Sequence, residues 1–196
     1  LGADAVATVG ITESIITLVY AIAIGLSMAT TSIVSRRIGE KDADRAGHTA
    51  FQSILAGIFA SVLIAVPGVI FASDLLRLMG ANDIIVSELS DYTSIMLGGN
   101  IVIMLLFIIN AVFRSSGDAA ISMRVLWIGN IINIILDPCL IFGLGPFPEL
   151  GIKGAAIATT TGRGIAVLYQ LYILFYRSKR VKIIKEHIRI NFRLIA

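Results

Sequence analysis

Five runs of predominantly apolar residues, roughly 9–34, 49–72, 92–113, 125–143 and 152–176, alternate with short polar connections. Each reaches the ~20 residues that a helix, rising about 1.5 Å per residue, needs to cross a hydrocarbon core about 30 Å thick. In lipid, backbone polar groups must be satisfied within the segment, so runs of this kind are helices. Charged residues make up 15% of the chain, against about 25% in a soluble domain. The sequence predicts an all-α, polytopic membrane helix bundle with five transmembrane helices.

Charge placement orients the bundle. If the runs alternate direction, all Lys and Arg residues except Arg77, Lys153 and Arg163 fall on one side. The positive-inside rule makes that side cytoplasmic. It holds the loops at 35–48 and 114–124 and the C-terminal tail, in a multi-pass protein of the cytoplasmic (inner) membrane. In the tail, 177–196, Val181, Ile184 and Ile188 recur at helical spacing among basic residues, as in an amphipathic helix lying on a lipid surface. That periodicity points to membrane lipids as partners and away from nucleic acid.

The single cysteine, Cys139, has no intrachain partner for a disulfide. His48 and His187 lie far apart in polar connections. No metal-ligand cluster, catalytic triad or paired acids stand in the spans, which argues against an enzyme. The chain opens without an initiator Met or a basic leader and ends abruptly, so it reads as the interior of a longer protein.

One span carries a polar stripe: Asn130, Asn133 and Asp137, followed at once by Pro138. Spacings of three and four place these side chains on one helical face. A carboxylate at this depth costs about 3 kcal/mol even on lenient insertion scales, so it should face protein or a water-filled cavity. Pro138 lacks an N–H, predicts a helix kink and frees the carbonyl of Ile134 for another partner. An acid, amides and a freed carbonyl together form a candidate cation or proton site, with Na⁺ at Asp137 and Asn133 as one form of it. The bland alternative is a kinked helix whose polar groups bond to neighbouring helices.

Other polar residues in the spans fall into two groups. Gly154, Ala158, Gly162 and Ala166 recur every four residues, a stripe that lets another backbone approach closely. Thr159 lies beside it, placed to offer a hydroxyl to the Asp137 span. Arg163, within the same run, requires either an anionic ligand or an acid to pair with. Asn130, Arg163 and Asn110 are candidate cavity-lining residues; Asn100 and Asn110 suit interhelical hydrogen bonding better than ligand contact. Glu13 suits the membrane interface, and Pro67 should kink the second span.

Several stretches in order resemble the multidrug and toxic compound extrusion (MATE) transporters. They are Leu1-Gly2-Ala3-Asp4-Ala5-Val6-Ala7-Thr8-Val9-Gly10, Arg37-Ile38-Gly39-Glu40-Lys41-Asp42 and Arg114-Ser115-Ser116-Gly117-Asp118. Asn130 through Asp137-Pro138 and Leu150-Gly151-Ile152-Lys153-Gly154-Ala155-Ala156-Ile157-Ala158-Thr159 complete the set.

The resemblance implies a two-lobe protein of six helices each, of which this chain carries helices two to six of the first lobe. Residues 1–176 would form that lobe's bundle, and 177–196 a basic cytoplasmic linker to a second, C-terminal lobe missing here. It also implies alternating access, with drugs or organic cations exported against entering H⁺ or Na⁺ and no other cofactor. Asn133, Asp137 and Thr159 match the family's first-lobe coupling residues. The alternatives are a lipid or lipid-linked oligosaccharide flippase of the same superfamily, which needs more cavity cations than Arg163, and a non-transporting fragment. Protonation or ion binding at Asp137 would bias the helix around Pro138 between two shapes.

Overall fold

The computed structural model describes residues 3–178 and residue 181. Seven helices follow one another: α1 (Ala3–Gly39), α2 (Ala43–Ile70), α3 (Ala72–Leu78), α4 (Asp83–Gly98), α5 (Asn100–Ser115), α6 (Ala119–Phe142) and α7 (Gly151–Tyr172). α7 widens into a π-helical turn over Ile173–Arg177. No strand occurs among the described residues. The linker predicted for 177–196 lies, apart from Arg177, Ser178 and Val181, outside them.

The third predicted span is two helices. α4 stops at Gly98 and α5 starts at Asn100, with Gly99 between them. A side chain at Gly99 would meet Thr160 of α7 and the carbonyl of Ile95, so only glycine lets α7 cross this closely. Asn100 bridges the break. Its Nδ2 donates to the Leu97 carbonyl at 2.7 Å and to the Ser61 carbonyl of α2 at 3.2 Å. α5 is the bundle's axis, buried from Ile108 through Phe113, with α1, α2, α6 and α7 packed around it.

Two apolar clusters fill the bundle, one toward each end. Ile108, Val112 and Phe113 meet Ala46 and Ala50 of α2 and Val167 of α7 at one end. Ile103 and Met104 meet Ile16 and Val19 of α1, Met96 of α4 and Ile152 of α7 at the other. Buried hydroxyls of Thr12 and Thr93 join α1 to α4 at 2.8 Å near this second end, where Lys153 also pairs with Asp91. Near the first end Ser115 Oγ donates to the Thr31 carbonyl of α1 at 3.4 Å.

Several predicted boundaries shift. The polar loops expected at 35–48 and 114–124 shrink to 40–42 and 116–118, because the helices project past their apolar runs. Glu40 draws in Arg36 and Arg37, both at 3.0 Å, across the last turn of α1. Those guanidinium hydrogen bonds hold its carboxyl below the usual glutamate value. Asp42 then caps α2, its Oδ1 accepting from the Arg45 N–H at 3.0 Å. The connection at 73–91 is largely α3 and the start of α4, with Asn82 capping the latter by accepting from the Ile85 N–H at 2.8 Å. α2 stays helical to Ile70, one turn past Pro67.

Among the described residues, four helical segments are long and apolar enough to cross a membrane: Val6–Gly39, Ala43–Ile70, Leu89–Ser115 and Ala119–Phe142. The fifth predicted span, α7, is 22 residues long and falls outside that set. Its length suffices, but Lys153, Arg163, three threonines and four glycines dilute its apolarity. It packs along α6 more extensively than any other two helices pack together, and Thr159 finds its partner there.

Candidate functional site

The α6–α7 pair builds the site. The two helices run antiparallel: Leu140 faces Gly154, Asn133 faces Thr159 and Gly162, and Gly129 faces Gly162 and Ala166. At Gly154 there is no space for a Cβ, which would run into the Leu140 carbonyl. The four-residue stripe of small residues thus brings the two backbones close enough for short polar side chains to meet across the interface.

The polar stripe meets its partner there. Asn133 Nδ2 donates to Asp137 Oδ1 on its own helix at 3.2 Å and to Thr159 Oγ1 on α7 at 3.2 Å. All three side chains are half-buried. An N–H group carrying partial positive charge thus sits between two oxygens. Rotating the amide turns Asn133 Oδ1 to the same point, giving carboxylate, amide and hydroxyl oxygens for one cation. α6 remains helical on both sides of Pro138, through to Phe142.

A cavity of about 230 Å³ opens beside Asn133 and Thr159. α6 contributes Asn130 and Asn133, α7 Thr159 and Arg163, α1 Tyr20 and α5 Phe107. The Tyr20 and Phe107 rings lie 5.9 Å apart at 56°, a tilted aromatic pair. Arg163 is half-buried, and among the described residues it forms no ion pair. Asn130 is exposed on the outer side of α6 and also lines a shallower hollow with Trp127 and Ile134.

The structure therefore brings Asn133, Asp137 and Thr159 together and places Asn130 and Arg163 on the adjoining cavity. The cavity-lining expectation for Asn110 is corrected. Asn110 faces the interior between α5 and α7, where its Oδ1 accepts from Gln170 Nε2 at 2.7 Å and its backbone carbonyl from Ser122 Oγ at 3.4 Å. The rotation of α5 turns it away from the cavity that Ile103, Leu106 and Phe107 line. Sequence reasoning missed Gln170, although an amide seven residues beyond Arg163 in an apolar run was a signal. It also missed the Tyr20–Phe107 pair, which no local pattern announces.

An apolar helical bundle with a carboxylate, two amides and a cation gathered beside an internal cavity defines a polytopic membrane protein with polar machinery inside its spans. The chain belongs to the MatE family, whose model matches residues 1–139. It is 32% identical over 182 residues to an FAD transporter of Shewanella oneidensis, covering 93% of this chain and 40% of that protein. It is 30% identical over 180 residues to the probable multidrug resistance protein YoeA of Bacillus subtilis, covering 92% and 38%. A multidrug resistance MATE family transporter of the MOP superfamily, solved in an inward-facing conformation, superposes with a TM-score of 0.89 at 30% identity. That match covers 99% of this chain and 43% of the solved one. The chain spans about 40% of the length of the curated relatives it matches.

Proposed function

We propose that this chain forms the ion-coupling lobe of a secondary antiporter that exports amphipathic organic molecules in exchange for H⁺ or Na⁺. The single observation that carries the reading is the Asn133 amide set between Asp137 and Thr159, 3.2 Å from each, on two tightly packed membrane helices. Relatives named as multidrug and FAD transporters support the transport half of it.

The geometry supports the following mechanism. An entering cation displaces the Asn133 N–H from between the two oxygens, and the amide turns its Oδ1 inward. A proton on Asp137 instead removes the carboxylate's charge and with it the draw on Asn133. Either event loosens or re-forms the Asn133–Thr159 link between α6 and α7. Asn133 and Thr159 also line the cavity, so ion entry changes the wall that the organic molecule touches. A ligand with different affinity for the two arrangements is then exchanged against the ion. The basic end of the bundle faces the cytoplasm in this reading, with cavity access alternating between the two sides.

The test is export from vesicles carrying the whole protein. An imposed inward H⁺ or Na⁺ gradient should drive drug or dye out of the compartment equivalent to the cytoplasm. Transport indifferent to both gradients sinks the antiport reading.

A further inference from the structure

The cavity beside Asp137 carries a single charge, and it is positive. Among the described residues that line it, no Asp or Glu occurs, and Arg163 is the one ionised side chain. Asp137 lies on the far side of the Asn133–Thr159 pair. With Arg163 one turn along α7 from Thr159 and Asp137 one turn along α6 from Asn133, the two charges are separated by roughly 10 Å of helix axis. The carboxylate is held by Asn133 and not by the guanidinium. A half-buried arginine in a membrane span must face water, a protein acid or an anionic ligand; Arg163 lines the cavity and forms no ion pair among the described residues.

The rest of the wall is mostly aliphatic, from Ile103, Leu106, Val125 and Leu126, with two aromatic rings among them. Tyr20 and Phe107 offer tilted faces from α1 and α5, and Asn130 offers amide donor and acceptor atoms from α6. At about 230 Å³ the cavity is smaller than the ~300–1,000 Å³ of a whole drug-sized ligand site. It takes one ring system of a ligand and not the whole.

We infer that Arg163, with the Tyr20–Phe107 pair, makes this cavity a subsite for an aromatic organic anion, a ring bearing a phosphate or carboxylate, in preference to an organic cation. Guanidinium pairs with phosphate or carboxylate through two parallel N–H···O bonds, which fixes the orientation of the ring beside it. This inference rests on the transporter reading above and specifies its substrate class.

Riboflavin and flavin mononucleotide test it, because they share one fluorescent ring and differ by one phosphate; ethidium serves as the cationic counterpart. Quenching of flavin fluorescence by the purified whole protein should show the mononucleotide bound about tenfold tighter than riboflavin, the scale of one charge-assisted contact. Ethidium should bind more weakly than the mononucleotide. Arg163→Gln should bring the two flavins to parity with riboflavin binding kept, and Arg163→Lys should restore part of the difference. Wild-type protein that binds the two flavins equally, or prefers ethidium, overturns the inference, as does a flavin difference that survives Arg163→Gln.

If Arg163→Gln loses riboflavin binding too, a pH series on wild type decides. The phosphate gains its second charge near pH 6, so the preference should grow as pH rises through that value, and a flat series overturns the inference. The outcomes separate from those of the antiport reading. Gradient-driven export with equal flavin binding removes only the anion preference. A tenfold preference without gradient-driven export removes the antiport reading and leaves the subsite.

Discussion

Asn133 on α6 donates to the hydroxyl of Thr159 on α7 at 3.2 Å. This bond crosses the most extensively packed helix pair in the bundle, and the same amide group holds Asp137 Oδ1. One side chain therefore connects the acid, the neighbouring helix and the cavity wall.

Removing that connection should uncouple the site. Asn133→Leu keeps the side-chain volume but leaves Asp137 and Thr159 without their shared partner. The affinity for the driving cation should fall by about tenfold or more, the scale of a lost charge-assisted hydrogen bond. Ion-dependent thermal shift of the purified protein reads this directly. Unchanged ion affinity would mean that the amide is structural.

The backbone contact at Gly154 should tolerate almost nothing. Its added methyl would run into the Leu140 carbonyl, so Gly154→Ala should destabilise the fold by about 1–3 kcal/mol as α6 and α7 are pushed apart. Gly164 on the same helix has nothing within 4 Å of an added Cβ, and Gly164→Ala should gain up to about 1 kcal/mol from helix propensity. Denaturation midpoints in detergent, measured side by side, check the opposite signs.

The buried amide pair of Asn110 and Gln170 should be a unit. Asn110→Leu strips Gln170 Nε2 of its acceptor at a fully buried position, at a cost of about 1–3 kcal/mol. The double substitution Asn110→Leu with Gln170→Leu removes both polar groups and should cost less than the two singles added together. Additive costs would show that the two amides act independently.

How far the chain could be read in advance follows from the range of each signal. The stripe of Asn130, Asn133 and Asp137 is periodic within one helix, and the small residues around Thr159 mark where another backbone approaches. Both signals are local: they set the Thr159 hydroxyl against the Asp137 span, and the resemblance to MATE transporters groups it with Asn133 and Asp137. The run 92–113 showed Gly98 and Gly99, but its division at Gly99 depends on Thr160 of a helix sixty residues later. The direction of Asn110 depends on the rotation of α5 among four neighbours, which its own periodicity does not report. α3 is only seven residues long, too short for a helical pattern to separate it from a polar loop. The ring pair of Tyr20 and Phe107 joins α1 to α5 with nothing in either run to announce it.

The most direct test of the central claim compares wild type with Asp137→Asn in vesicles carrying the whole protein, under separate H⁺ and Na⁺ gradients. Substrate binding is measured alongside flux. The account predicts that Asp137→Asn keeps substrate binding and loses gradient-driven export under whichever ion drives the wild type. Full gradient-driven export by Asp137→Asn would contradict it, and would leave Asp137 as a structural acid between α6 and α7.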